Sequence, residues 1–171
     1  MAFTFNATIS DPAANSYISV EDADDYFSGK WKSSSYDDLD TEQKQQLLVT
    51  ATRRLETFKY AGDIADPSQA LQWPRKDLID ARGVAVPSDA MPRFLDMAIC
   101  EMANWILTEE DRMVSDTDLS QLETFKAGPL DLTFKPRAQE FPYFVMDLLD
   151  MISPGVVISD GKSTTATRMY R

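Results

Sequence analysis

Between residues 94 and 107 apolar side chains recur at steps of three and four: Phe94, Leu95, Ala98, Ile99, Met102, Ala103, Ile106 and Leu107. On a helix of 3.6 residues per turn they form one broad stripe, and a stripe that wide has to be covered by another element. The spacing predicts a helix over about 89–109, with Pro92 tolerated only in its first turn. A second stripe offers the cover. Leu47, Leu48, Ala51, Leu55 and Phe58 follow a start at Thr41, which has Asp40 before it and Glu42 after it. That helix is expected to run through Tyr60, with Gly62 as its C-cap. Two facing helices make the chain mainly α, a small helical bundle. A length of 171 residues is that of one domain able to bury a real core.

Shorter signals fill in the rest. Ser19 followed by Asp22 resembles a capping box and should open a helix over about 20–28, with Val20, Ala23 and Phe27 on one face. The polar stretch 32–38 reads as a loop. Trp73, held extended by the proline after it, is expected to anchor against the core. Alternation of apolar and polar residues on both sides of Ala127-Gly128-Pro129 predicts a β-hairpin insertion at about 121–135. Pro142 should start a last helix from Tyr143 to Ile152. The expected organisation is an N-terminal arm at 1–18, a helical connector domain at 19–152 and a C-terminal arm at 153–171. Both arms are extended.

Chemistry is limited by what is missing. The chain has no histidine, which removes the commonest general base and the commonest metal ligand together. It carries no phosphate-binding glycine loop and no nucleophile elbow. Its one cysteine, Cys100, lies among apolar residues at helical spacing and reads as a packed core thiol. The acidic pairs Asp24-Asp25 and Asp37-Asp38 and the run Glu109-Glu110-Asp111 read as solvated faces. Neighbours on a helix point in different directions. A non-enzyme without metal or cofactor is expected. No apolar run approaches the ~18 residues of a membrane span, and no signal peptide is evident, so assembly in a cytosol is expected. Seventeen Lys and Arg stand against 28 Asp and Glu, a net charge of −11. That balance argues against a protein gripping phosphates over its whole surface.

Residues 16–27, then Ala51-Thr52-Arg53-Arg54-Leu55, Leu71-Gln72-Trp73-Pro74-Arg75, residues 86–92, and Ala98, Glu101 and Ala103 follow a recognisable order. In it the chain resembles a family of small phage proteins often labelled DnaT-like single-stranded DNA-binding protein. By gene context and architecture, many members resemble head–tail connectors. The resemblance implies a structural head-to-tail adaptor in the virion of a tailed bacteriophage. It would form a homo-oligomeric ring, on the order of twelve copies, under the portal protein. Tail or tail-completion proteins would attach below it, and DNA would pass through as cargo. An acidic lumen would let a duplex slide. The C-terminal arm carries Lys162, Arg168 and Arg171 against Asp160, and its end, Arg168-Met169-Tyr170-Arg171, suits docking on a partner, which the resemblance makes the portal.

The alternative is the function in the family's label, single-stranded DNA binding in phage replication. It asks for a basic groove with exposed stacking aromatics. Two places qualify as candidates: Trp31 between Lys30 and Lys32, and Trp73 near Arg75 and Lys76. In this reading of the residues each tryptophan is better taken as structural.

Overall fold

The computed structural model describes residues 3–31, 33–116, 124–127, 130–133, 142–154 and 157–158. Five helices and three small two-stranded sheets stand among the described residues: α1 (Val20–Ser28), α2 (Ser34–Asp37), α3 (Thr41–Leu55), α4 (Arg93–Asp116), α5 (Tyr143–Ile152), β1 (Phe58–Lys59), β2 (Asp63–Ile64), β3 (Arg75–Lys76), β4 (Thr124–Ala127), β5 (Leu130–Thr133) and β6 (Val157–Ile158). The protein is mainly α with a β-hairpin, as the stripes dictate.

α4 is the central element and packs against α5, α3, α1 and α2. Its stripe residues Leu95, Ala98, Ile99, Met102 and Ala103 are fully buried. So are Leu48, Ala51 and Leu55 of α3 and Val145 and Leu149 of α5. Cys100 lies in the same core, 1% exposed, and burial pushes its thiol up to about 12. A thiol held that far above neutral pH is a packing group.

Local chemistry sets most helix ends. The Ser19 hydroxyl accepts from the Asp22 N–H, and the Asp22 carboxylate accepts from the Ser19 N–H, closing the expected capping box. At α3 the N-cap is Asp40, which forms the same reciprocal pair with Gln43. Pro92 lies just outside α4, where its carbonyl accepts from the Leu95 and Asp96 N–H groups, so the helix starts at Arg93 instead of near 89. α3 stops at Leu55, five residues short of the expected end. Thr57 turns back to bond the Arg54 carbonyl through both its N–H and its hydroxyl, and Phe58 then pairs as strand.

Gly62 is therefore not a helix C-cap. It holds φ +71°, and a Cβ there would lie 2.5 Å from the Lys76 carbonyl and 2.7 Å from Leu78 Cγ. Its role is to let the 61–64 segment approach β3, which pairs antiparallel with β2 (Asp63 with Lys76, Ile64 with Arg75). β1 pairs antiparallel with β6, so Val157 and Ile158, read with the C-terminal arm, hydrogen-bond to the end of the α3 turn. The hairpin β4–β5 is in the expected place with Ala127 opposite Leu130; Gly128 and Pro129 lie outside the described residues.

The segment at 32–38 holds a turn of helix that the sequence does not announce. Tyr36 of α2 is 1% exposed and stacks on Phe27, with ring centroids 3.8 Å apart and planes 15° from parallel. Among the described residues no helix is long and apolar enough to cross a membrane.

Candidate nucleic-acid interface

Trp73 is 1% exposed and meets Tyr60 edge to face at 5.4 Å, so it is the core anchor its place before Pro74 suggests. Arg75 is buried beside it. Its guanidinium donates to the carbonyls of Ala61 at 2.7 Å, Gly62 at 2.6 Å, Gln72 at 3.2 Å and Tyr60 at 3.4 Å. A buried guanidinium spent on four carbonyls holds a loop together and is not presented to a phosphate. The Trp73-Pro74-Arg75 block is structural.

Trp31 is different. It is 85% exposed, the most exposed large apolar side chain among the described residues. The structural role expected of it does not hold: the indole follows the C-cap of α1 and lies outside the core. Beside it the Lys30 ammonium donates to Glu101 Oε1, which also accepts from the Tyr26 hydroxyl. Glu101 is thereby neutralised where α1 meets α4.

One helical turn beyond Glu101, on the same face of α4, is Trp105. It is half-buried, and the Arg54 guanidinium lies over its ring at 5.4 Å to the centroid. Arg54 belongs to the last turn of α3 with Arg53, which is exposed, and Lys59 follows on β1, also exposed. Three cations within seven residues face a single carboxylate, Glu56. Burial raises the Glu56 carboxyl from the ordinary 4.5 to about 7, although the Gln72 N–H bonded to it pulls the other way. Near neutral pH this end of α3 is locally basic on an acidic protein.

The remaining cations divide sharply. Lys44 pairs with Asp24 at 2.9 Å and lies over the Tyr36 ring, and Arg82 pairs with Asp80 at 2.6 Å. Among the described residues Arg53, Arg54 and Lys59 are in no ion pair, and neither are Lys76 and Arg93. The carboxylates cluster away from the end of α3. Residues 21–42 hold eight of them against two lysines. A cleft of about 300 Å³ there is lined by Asp22, Asp25, Tyr26, Arg93, Asp96, Met97 and Cys100. Burial and the charge of Asp22 raise Asp96 to about 6 in that cleft. Its acidity repels phosphate. Among the described residues no group of three His, Cys, Asp or Glu side chains could hold a metal ion.

Fold and surface define a small helical protein that carries, among the described residues, one exposed indole, one half-buried indole under an arginine, and a short unpaired cationic stretch. These are the components of an aromatic and cationic binding surface. The chain belongs to the family described as "Putative DnaT-like ssDNA binding protein", whose model matches residues 1–171. No curated protein and no solved structure matches it.

The family overturns the adaptor expectation. Its description concerns single-stranded DNA, and it supports no portal, tail or ring partner. The adaptor expectation rested on the resemblance to connectors, and the acidity that fitted it does not describe every face. The carboxylates are concentrated on α1 and the segment after it, and the unpaired cations lie at the end of α3, so an overall charge of −11 leaves a locally basic surface. Arg168, Met169, Tyr170 and Arg171, assigned to portal docking, lie outside the described residues.

Proposed function

We propose that this chain is a non-catalytic single-stranded DNA-binding protein, of the kind used in phage replication, and that Trp31 is a platform on which a base stacks. The observation that carries the reading is the Trp31 indole, 85% exposed between Lys30 and Lys32, in a chain of this family. An indole this exposed leaves its flat face free for a ligand, and the face of a base is a partner of suitable size. Stacking is tolerant of sequence because every base has a π-face.

The test is fluorescence anisotropy of labelled oligo-dT titrated with the full chain at low salt. Binding that is weakened about tenfold by Trp31→Ala, and much less by Trp31→Phe, supports the reading; stacking of one base is worth about 1–3 kcal/mol and 1.4 kcal/mol is tenfold. Absence of binding, or equal binding of single strand and duplex with Trp31→Ala unchanged, would falsify it. Because Trp31 is outside the core, circular dichroism of both variants should match that of the parent chain.

A further inference from the structure

We infer that the strand makes a second contact where Arg54 lies over Trp105, so that the interface is a track of two aromatic stations, the second flanked by unpaired cations. The inference rests on the single-stranded DNA reading and adds a site to it. Three observations carry it. Lys30, the residue before Trp31, is tied to Glu101, and Trp105 follows Glu101 by one turn on the same face of α4. The ends of α1 and α3 thus reach one face of α4 at adjacent turns. Next, the Arg54 guanidinium lies over the Trp105 ring, 5.4 Å from its centroid, with no carboxylate partner among the described residues. A guanidinium held near an indole and free of a carboxylate keeps N–H donors for a phosphate, and its planar group suits a base. Finally, Arg53 and Lys59 extend the unpaired positive charge past that point, and the Glu56 carboxyl between them is raised to about 7 by burial.

The charge of Glu101, between the two stations, would repel a phosphate if it were free. It accepts from both Lys30 and Tyr26, which removes that objection. The occupant is a single strand, because stacking on both stations needs bases that are not already paired and stacked on each other.

The chain's own tryptophans give a direct readout. In Trp31→Phe the emission comes from Trp73, which is 1% exposed and out of reach of a base, and from Trp105. Oligo-dT should quench that emission, and the quench should vanish in Trp31→Phe/Trp105→Phe. By anisotropy, Arg54→Ala should weaken oligo-dT about tenfold. Arg54→Lys, which keeps the charge and loses the plane, should weaken it several-fold, and Arg53→Ala should weaken it a few-fold. If the parent chain binds and depends on Trp31, yet Arg54→Ala, Arg54→Lys and the Trp105 emission do not respond, the second station is overturned and the single-platform reading stands. If the parent chain binds no oligo-dT, both fall. Quenching of Trp105 alongside a loss in Arg54→Lys supports the track, and it does so without depending on whether Arg54→Ala folds.

Discussion

Glu56 joins three parts of the chain through one carboxylate. The Tyr17 hydroxyl donates to it from the N-terminal segment, the Gln72 N–H donates at 3.1 Å, and the Gln72 amide bonds the Glu56 carbonyl at 2.6 Å. Burial raises the carboxyl to about 7, while in the unfolded chain it titrates near 4.5. Between those values the folded protein holds the proton and the unfolded chain does not, so stability falls as pH rises from about 4.5 through 7. With the residue half-buried, roughly 1 to 2 kcal/mol is the expected loss. Urea midpoints taken at pH 5 and pH 8 should differ in that direction, and Glu56→Gln should shrink the difference; an unchanged difference would place the pH dependence elsewhere. Gly62 makes a second prediction at this scale. With φ +71° and no room for a Cβ, Gly62→Ala should cost at least about 2 kcal/mol, from the left-handed backbone and the collision with the β3 backbone together. Chemical denaturation measures it, and a neutral result would mean that the loop moves freely away from β3.

At the scale of elements, the capping box at Ser19 and Asp22 is a local device, and Ser19→Ala should cost about 1 kcal/mol in thermal or urea unfolding. A cost near zero would mean that tertiary packing alone holds the start of α1. α2 depends on the opposite kind of support. Four residues cannot hold a helix by propensity, and Tyr36 stacked on Phe27 supplies what propensity lacks, so Tyr36→Ala should remove about 3 kcal/mol and the α2 turn with it. Amide exchange over 34–37 would test that: protection left intact in the variant sinks the idea. The same contrast explains what could be read in the sequence. α1, α5 and the hairpin were legible because a cap, a proline and an alternation are written within a few residues of one another. The stop of α3 at Leu55 was not, because it depends on Phe58 pairing with Ile158 far along the chain. α4 starts later and ends later than its stripe suggests, since Pro92 is an N-terminal neighbour and the polar residues after Thr108 continue the helix. At the site, Lys30-Trp31-Lys32 was visible as letters, but exposure is a property of what fails to pack on a residue. Arg54 over Trp105 joins two helices and has no local signature at all.

At the scale of the whole molecule, charge placement decides what the net charge cannot. A protein of net charge −11 repels a polyanion at long range, and this repulsion is screened within about 10 Å at 0.1 M salt. In the proposed complex, contact forces near Arg53, Arg54 and Lys59 would be attractive and would release counterions. The two effects respond to salt in opposite directions. If about three phosphates are neutralised, the slope of log affinity against log salt should be about −2, from roughly −0.7 per single-strand phosphate. Long-range repulsion from the acidic faces should make it shallower at the low-salt end. Arg53→Ala should then make the slope less steep by about 0.7, while Trp31→Ala should lower affinity at every salt concentration without changing the slope, because stacking displaces no counterion. Oligo-dT titrations at four or five salt concentrations separate these outcomes. A slope of −5 or steeper in the parent chain would demand more phosphate contacts than these cations provide and would move the interface elsewhere. A slope near zero would leave stacking as the sole contact.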